Sequence, residues 1–288
     1  MPSHTWHRIG RWGEAVRANQ LAIIADERGR ADGAPGVYPM HNVAMLFGGA
    51  VMDGQRAVAM DAARQLEATG SGDASLSMAT LVRFGRWREL RTMRAGSGDR
   101  VATAWTAVAI GLAWLDTART RLAQEQLDVV DALLAGTPDS AATQEMKDRH
   151  LIGLARGILA GELLASRGQV DSAVTALTQA VALDDSLPYQ EHITWPLPPR
   201  HVLAGVLLDA GRPADAERVL RADLERFPNN GWALSGLSQA LAAQGRAAEA
   251  ATVREAFGAA WARADVWIDG PRFKPGARRA GADAARGR

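Results

Sequence analysis

Apolar residues recur along the chain at helical spacing. Ala216, Val219, Leu220 and Leu224 form one stripe, and Val253, Phe257 and Trp261 form another; steps of three and four residues put each set on one face of a helix. Such stripes come in pairs around a short turn opened by glycine. The turns are Gly10-Arg11-Trp12, Gly54-Gln55-Arg56, Gly85-Arg86-Trp87, Gly168-Gln169-Val170, Gly211-Arg212-Pro213 and Gly245-Arg246-Ala247, and Ala118-Arg119 fits the series with alanine in place of glycine. Successive turns lie 44, 31, 33, 50, 43 and 34 residues apart. Glycine permits the left-handed conformation that ends the first helix of a pair. Five residues past each turn stands an alanine: Ala15, Ala59, Ala123, Ala173, Ala216 and Ala250, with Leu90 breaking the rule. A small side chain at that place lets two helices cross closely. The pattern predicts helix hairpins stacked side by side.

The two most regular units are HVLAGVLLDAGRPADAERVLRADLERFP and WALSGLSQALAAQGRAAEAATVREAFGAAW, whose turn glycines are 34 residues apart. Leu203, Leu207, Gly211, Ala216, Leu220 and Pro228 in the first are echoed by Leu237, Leu241, Gly245 and Ala250 in the second. This arrangement resembles the tetratricopeptide repeat family, and GILAGELLASRGQVDSAVTALTQAVALDD adds a third unit through Ala160, Gly161, Leu164, Gly168, Ala173, Leu177 and Ala180. The resemblance is closest over residues 151 to 265 and degenerate over 1 to 135. It implies an all-α fold, a right-handed α-solenoid of about six to seven hairpins, with an inner surface that binds peptides or proteins.

Breaker-rich stretches divide the array. Hairpins are expected over 1–135, a loop or linking segment over 136–150, and hairpins again over 151–267 with an inserted loop near 186–199. GRADGAPGVYP near residues 29 to 39 is another break. Past Trp267 the composition turns to Gly, Ala, Arg and Pro without apolar period, which predicts a basic, disordered tail over 268–288. The first hairpin has only seven residues for a first helix of the usual fourteen or so. Either the array starts on half a repeat or, as the resemblance implies, the chain continues a longer array; an apolar N-terminal edge is expected, covered by a partner or by self-association.

With 33 basic and 32 acidic residues the net charge is +1, which argues against general attraction to nucleic acid or to an anionic membrane. From Pro271 onward six basic residues face one acid, so the tail carries +5 and the remainder −4. Without cysteine, disulfides, thiolate zinc sites and cysteine nucleophiles are excluded. Neither a secretory signal pattern nor a run of about 20 apolar residues is present, so a cytoplasmic protein is expected. Nine tryptophans stand beside only two tyrosines. Trp12 and Trp87, placed alike after their turns, read as packing between hairpins. No nucleophile elbow or phosphate loop occurs, and the glycine-rich GSGDAS near residue 70 precedes no strand.

Three groups of polar residues are candidate sites. His4 and His7 share a helix face and His41 opens a later helix, so three imidazoles could converge on a metal, although no H-E-x-x-H pattern accompanies them. His41 and Asn42 sit in VYPMHNVAMLFGGAVMDG, which resembles a recurring element of uncharacterised bacterial tetratricopeptide proteins, as does Pro2-Ser3-His4 before it. The family's second histidine position is Ala44 in this sequence. Asn42 and His41 either face a ligand or cap their helix. Tyr189, Glu191, Trp195 and Arg200 gather an aromatic face, a carboxylate and a guanidinium on a proline-rich bend, to hold a peptide or to lock the loop onto the solenoid. Asp184 and Asp185 read as solvated.

The expected function is a non-catalytic scaffold without cofactor, which binds a protein or extended peptide on the concave face of the first helices through His4, His41, Asn42, Glu191, Trp195 and Arg200. The alternative is a small-molecule or metal site in the inner surface, open to catalysis, built from His4, His7, His41 and Glu191.

Overall fold

The computed structural model describes residues 2–34, 39–69, 75–93, 99–138, 143–188 and 195–276. These hold fourteen helices and no strand. In chain order they are α1 (Pro2–Arg8), α2 (Trp12–Ala31), α3 (Pro39–Met52), α4 (Arg56–Ala68), α5 (Leu76–Arg83), α6 (Trp87–Leu90), α7 (Arg100–Leu115), α8 (Thr120–Ala135), α9 (Thr143–Ser166), α10 (Val170–Ser186), α11 (Pro199–Asp209), α12 (Pro213–Arg226), α13 (Gly231–Ala243) and α14 (Ala247–Ala260). Consecutive helices pair into seven hairpins, an α-solenoid of the kind the turn series predicts.

Each hairpin turns at the expected residue. Gly10, Gly54, Gly85, Gly168, Gly211 and Gly245 all have positive φ, between 60° and 76°. Ala118 takes the same conformation at φ 56°, which L-residues adopt only at a cost. The recurring alanines are buried, and Leu90 fits at its equivalent place because α6 is a single turn. The second helices bury one stripe each, such as Ala123, Leu127 and Val130 of α8. The first helices α7, α11 and α13 are buried nearly all round. Second helices cover them from outside, so something must also cover them from within.

Two structures supply that inner cover. The first is closure of the array on itself. Trp12 of α2 donates from Nε1 to the Pro228 carbonyl at 3.0 Å, and Trp232 of α13 donates to the Val51 carbonyl of α3 at 3.0 Å. Gly10 lies so close to Pro228 that a Cβ would stand 2.0 Å from its carbonyl oxygen. The first and last hairpins therefore touch, while Ile9, Leu21 and Ile24 of the N-terminal hairpin stay exposed. The second is the stretch after α14, which runs inward across the first helices.

Two boundaries differ from the sequence expectation. The break placed at 136–150 ends by Thr143, where α9 begins, because Met146 to Ile158 continue its helical pattern. The tail expected to be disordered from 268 is packed through Gly276: Ile268, Gly270, Pro271 and Arg272 are buried. Residues 277–288 lie outside the described residues.

Candidate functional site

Three contacts tie down the beginning of the C-terminal segment. The Trp261 ring lies on Gly54 and Gly231, where a Cβ would approach it to 2.5 Å and 2.2 Å. Arg263 grips the buried Asp53 at the end of α3 with both Nε (2.9 Å) and Nη2 (2.6 Å), a bidentate pair. The Asp265 carboxylate accepts from the backbone N–H groups of Arg56 and Ala57 at 2.7 and 2.8 Å, so it caps the N-terminus of α4, where negative charge is favoured.

From there the chain crosses the C-terminal halves of α13, α11, α9 and α7 without regular structure. The Asp269 carbonyl accepts from Gln239 of α13, and Pro271 rests over Gly236 of the same helix. Arg272 passes over Gly205 of α11, where a Cβ would meet its side chain at 2.7 Å, and ends between two carboxylates. Its Nε lies 2.7 Å from Glu162 Oε1 of α9 and its Nη2 lies 3.1 Å from Asp209 Oδ2 of α11. Phe273 meets Trp232 edge to face at 5.9 Å. Lys274 approaches Asp209 at 3.3 Å, and the Gly276 N–H donates to Asp116, which ends α7, at 3.2 Å.

The electrostatics suit a basic ligand. Helix C-termini carry partial negative charge, and α7, α11 and α13 present theirs on this side. Burial pushes the Glu162 carboxyl up, opposed chiefly by the Arg272 charge. A carboxylate so placed is stable as an anion only while a cation stays in contact.

The residues named from sequence occupy other places. His4 and His41 do meet, their rings stacked with Nε2 atoms 3.2 Å apart between α1 and α3. His7 meets the Trp12 ring edge-on at 5.4 Å. Among the described residues no group of three His, Cys, Asp or Glu side chains could hold a metal. Asn42 donates to Asp26 of α2 at 2.8 Å, so it ties two hairpins together where a cap was one expectation. Beside it lies an open cavity of about 290 Å³ between α2, α3 and α4, lined by Asp26, Glu27, Arg30, Met40 and Gln65 among others. Trp195 stacks on Trp105 of α7, and Arg200 holds Asp185 through both Nη atoms. Asp184 and Asp185, expected to be solvated, also receive Arg226. Glu191, with Tyr189, lies outside the described residues.

Two sets of polar residues escaped the sequence reading. Arg272, Glu162 and Asp209 are one; the sole local hint was an Arg-Phe-Lys run between two prolines. The other is a buried chain across the array. Arg83 of α5 stacks over Trp232 at 3.6 Å and contacts His201 Nδ1 at 3.0 Å; His201 Nε2 meets Asp223 of α12 at 2.8 Å, and Asn230 joins Asp223 at 3.0 Å. Burial holds His201 below its ordinary value, with Arg83 adding to the effect and Asp223 opposing it. The arrangement fits a neutral imidazole that accepts from Arg83 and donates to Asp223.

A family model for the tetratricopeptide repeat matches residues 207–256, from the end of α11 into α14. Among solved structures the chain is similar to a Podosopora anserina protein assigned as a kinesin light chain with nearly identical tetratricopeptide-like repeats. Its point-variant and parent forms are each 21% identical, with a TM-score of 0.40, over 78% of this chain and 97% and 95% of theirs. A search of curated proteins finds no match. The turns and small crossing residues thus continue along the array in the register of a stretch, residues 207–256, that matches the tetratricopeptide repeat.

Proposed function

We propose that the protein is a non-catalytic scaffold that binds an extended segment of a partner protein across the C-terminal halves of its first helices. One observation carries this reading: α13, α11, α9 and α7 together hold the chain's own residues 269–276, a stretch without helix or strand, with a side-chain slot over Gly205 and acidic groups along the path. A surface built from several hairpins is wide and stiff, which suits a ligand without structure of its own. Helical repeats in general serve as protein-interaction scaffolds, and no catalytic constellation is needed for that role.

The test is to pan a random-peptide phage library over the full chain and to map the enriched peptides with two substitutions. Asp209→Arg reverses the charge on the proposed face, and Glu255→Arg does the same on the outer surface of α14, where Glu255 is exposed. Enriched peptides should lose binding to the first variant and keep it to the second. No enrichment, or loss confined to the second, would overturn the proposal.

A further inference from the structure

We infer that Glu162, Asp209 and the slot over Gly205 form an arginine-reading site, and that residues 268–276 are its resident ligand in cis, exchangeable for an arginine-bearing extended segment of a partner protein. This rests on the scaffold reading above and deepens it.

The slot is shaped for one side chain. Gly205 lies in the middle of α11, where glycine is unfavourable, yet any Cβ there would stand 2.7 to 3.0 Å from Arg272 Nε, Cδ and Cγ. Arg272 is 5% exposed and Glu162 is 7% exposed, while Asp209 at 38% keeps one side of the site open to water. A planar guanidinium reaches both carboxylates at once from the bottom of the slot, whereas an ammonium is a single point charge on a flexible stem. The neighbouring contacts narrow the ligand further. Pro271 sits before the arginine over Gly236, and Phe273 follows it against Trp232. The favoured ligand therefore reads proline, arginine, aromatic, with a basic residue next.

The resident segment is placed to leave. It belongs to no hairpin, and the seven hairpins form a continuous array without it. Its tight attachment is upstream, where Trp261, Arg263 and Asp265 hold α3 and α4. Between that attachment and the slot, Trp267 is 78% exposed, and Gly270, though buried, has no side chain to hold it in place. Residues from Ile268 onward can thus peel away while the upstream anchor stays. Occupation in cis lowers the apparent affinity for a partner by the fraction of time the slot is filled.

The experiment uses a fluorescein-labelled peptide of residues 266–276, VWIDGPRFKPG, and a second peptide with alanine at its arginine. In anisotropy titrations the full chain carrying Arg272→Ala and Phe273→Ala should bind the first peptide at least tenfold more tightly than the wild type does. The alanine peptide should bind at least tenfold more weakly, and adding Glu162→Gln to the double variant should cost a similar factor. Equal binding by wild type and variant, or equal binding of the two peptides, would overturn the inference.

Because the chain has no cysteine, a spin label on Lys274→Cys gives a second readout in an otherwise native chain. The arginine peptide should mobilise that label and the alanine peptide should not; an unmoved label at millimolar peptide would overturn exchange even if the double variant does not fold. Phage peptides that map to the first helices but lack arginine would sink this inference and leave the scaffold reading standing.

Discussion

The hairpin turns allow local backbone strain to be separated from closure of the array. Gly211 has φ +69° and open space where a Cβ would go, so Gly211→Ala tests strain alone. A left-handed L-residue costs about 1–2 kcal/mol, and the stiffer unfolded chain returns roughly 0.4–1 kcal/mol, so the net loss is about 1 kcal/mol. Ala118→Gly runs the same exchange backward, since Ala118 already sits at φ 56°, and should stabilise by a similar amount. Gly10 has the same φ as Gly211, but its added methyl would meet the Pro228 carbonyl oxygen at 2.0 Å. That atom is backbone and cannot swing aside. Overpacking of this kind adds about 1–3 kcal/mol, for a total of about 2–4 kcal/mol in Gly10→Ala.

The assay is urea unfolding of the three variants, followed by far-UV circular dichroism and tryptophan emission, with amide exchange to localise each effect. In a stacked array each unit's stability adds to that of its interfaces, so Gly211→Ala should loosen amides in α11 and α12. Gly10→Ala should loosen both α1 and the turn before α13, some 220 residues away in sequence. If Gly10→Ala and Gly211→Ala cost the same and Gly10→Ala leaves residues 228–232 protected, the first hairpin is not closed on the last. If Ala118→Gly destabilises, the strain assigned to that turn is wrong.

His201, held neutral by burial, should make stability fall as pH drops below about 6.5, because the unfolded imidazole takes up a proton that the folded one resists. His201→Gln should flatten the slope between pH 7.5 and 5.5 in urea midpoints, and an unchanged slope would contradict the assignment. Arg272→Lys should lose one of its two carboxylate contacts, a charged hydrogen bond of about 1.5–3 kcal/mol, and speed amide exchange in residues 269–276. Trp195→Ala should lose the stack on Trp105, about 0.5–1.5 kcal/mol beyond the buried area, and Trp195→Phe should restore most of it. Asn42→Asp should set two carboxylates against each other at Asp26, lowering the thermal midpoint at pH 7.

The turns were legible because the chain cannot reverse between two helices without a special conformation, and that requirement selects glycine at each site. Ala118 shows the limit of composition: only its register in the series marks it, and it keeps the conformation at a cost. The buried alanines were legible for a comparable reason, since close crossing leaves room for nothing larger. Closure was not legible. Gly10 against Pro228, Gly54 against Trp261 and Arg263 against Asp53 are pairs separated by more than 200 residues, and a local period carries no information about which hairpins meet when the array curves round. Near the proline-rich bend, Trp195 and Arg200 pack against different helices, on Trp105 and on Asp185. Neither pairing was legible, because both partners come from other helices.

Over residues 268–276 reading by composition gave the opposite of the structure, and the reason bears on function. A stretch of Gly, Pro and Arg reads as disordered because it cannot bury enough apolar surface to offset its lost entropy. That reasoning assumes that the stretch must supply its own core. Residues 268–276 do not; α13, α11, α9 and α7 supply the surface, Glu162 and Asp209 supply the counter-charge, and the segment's own apolar contribution is small, chiefly Ile268, Pro271 and Phe273. A sequence that cannot fold alone but orders on a preformed face meets the physical description of a peptide ligand. The same surface that defeats the disorder rule in cis is therefore the one with the means to order a partner's segment in trans.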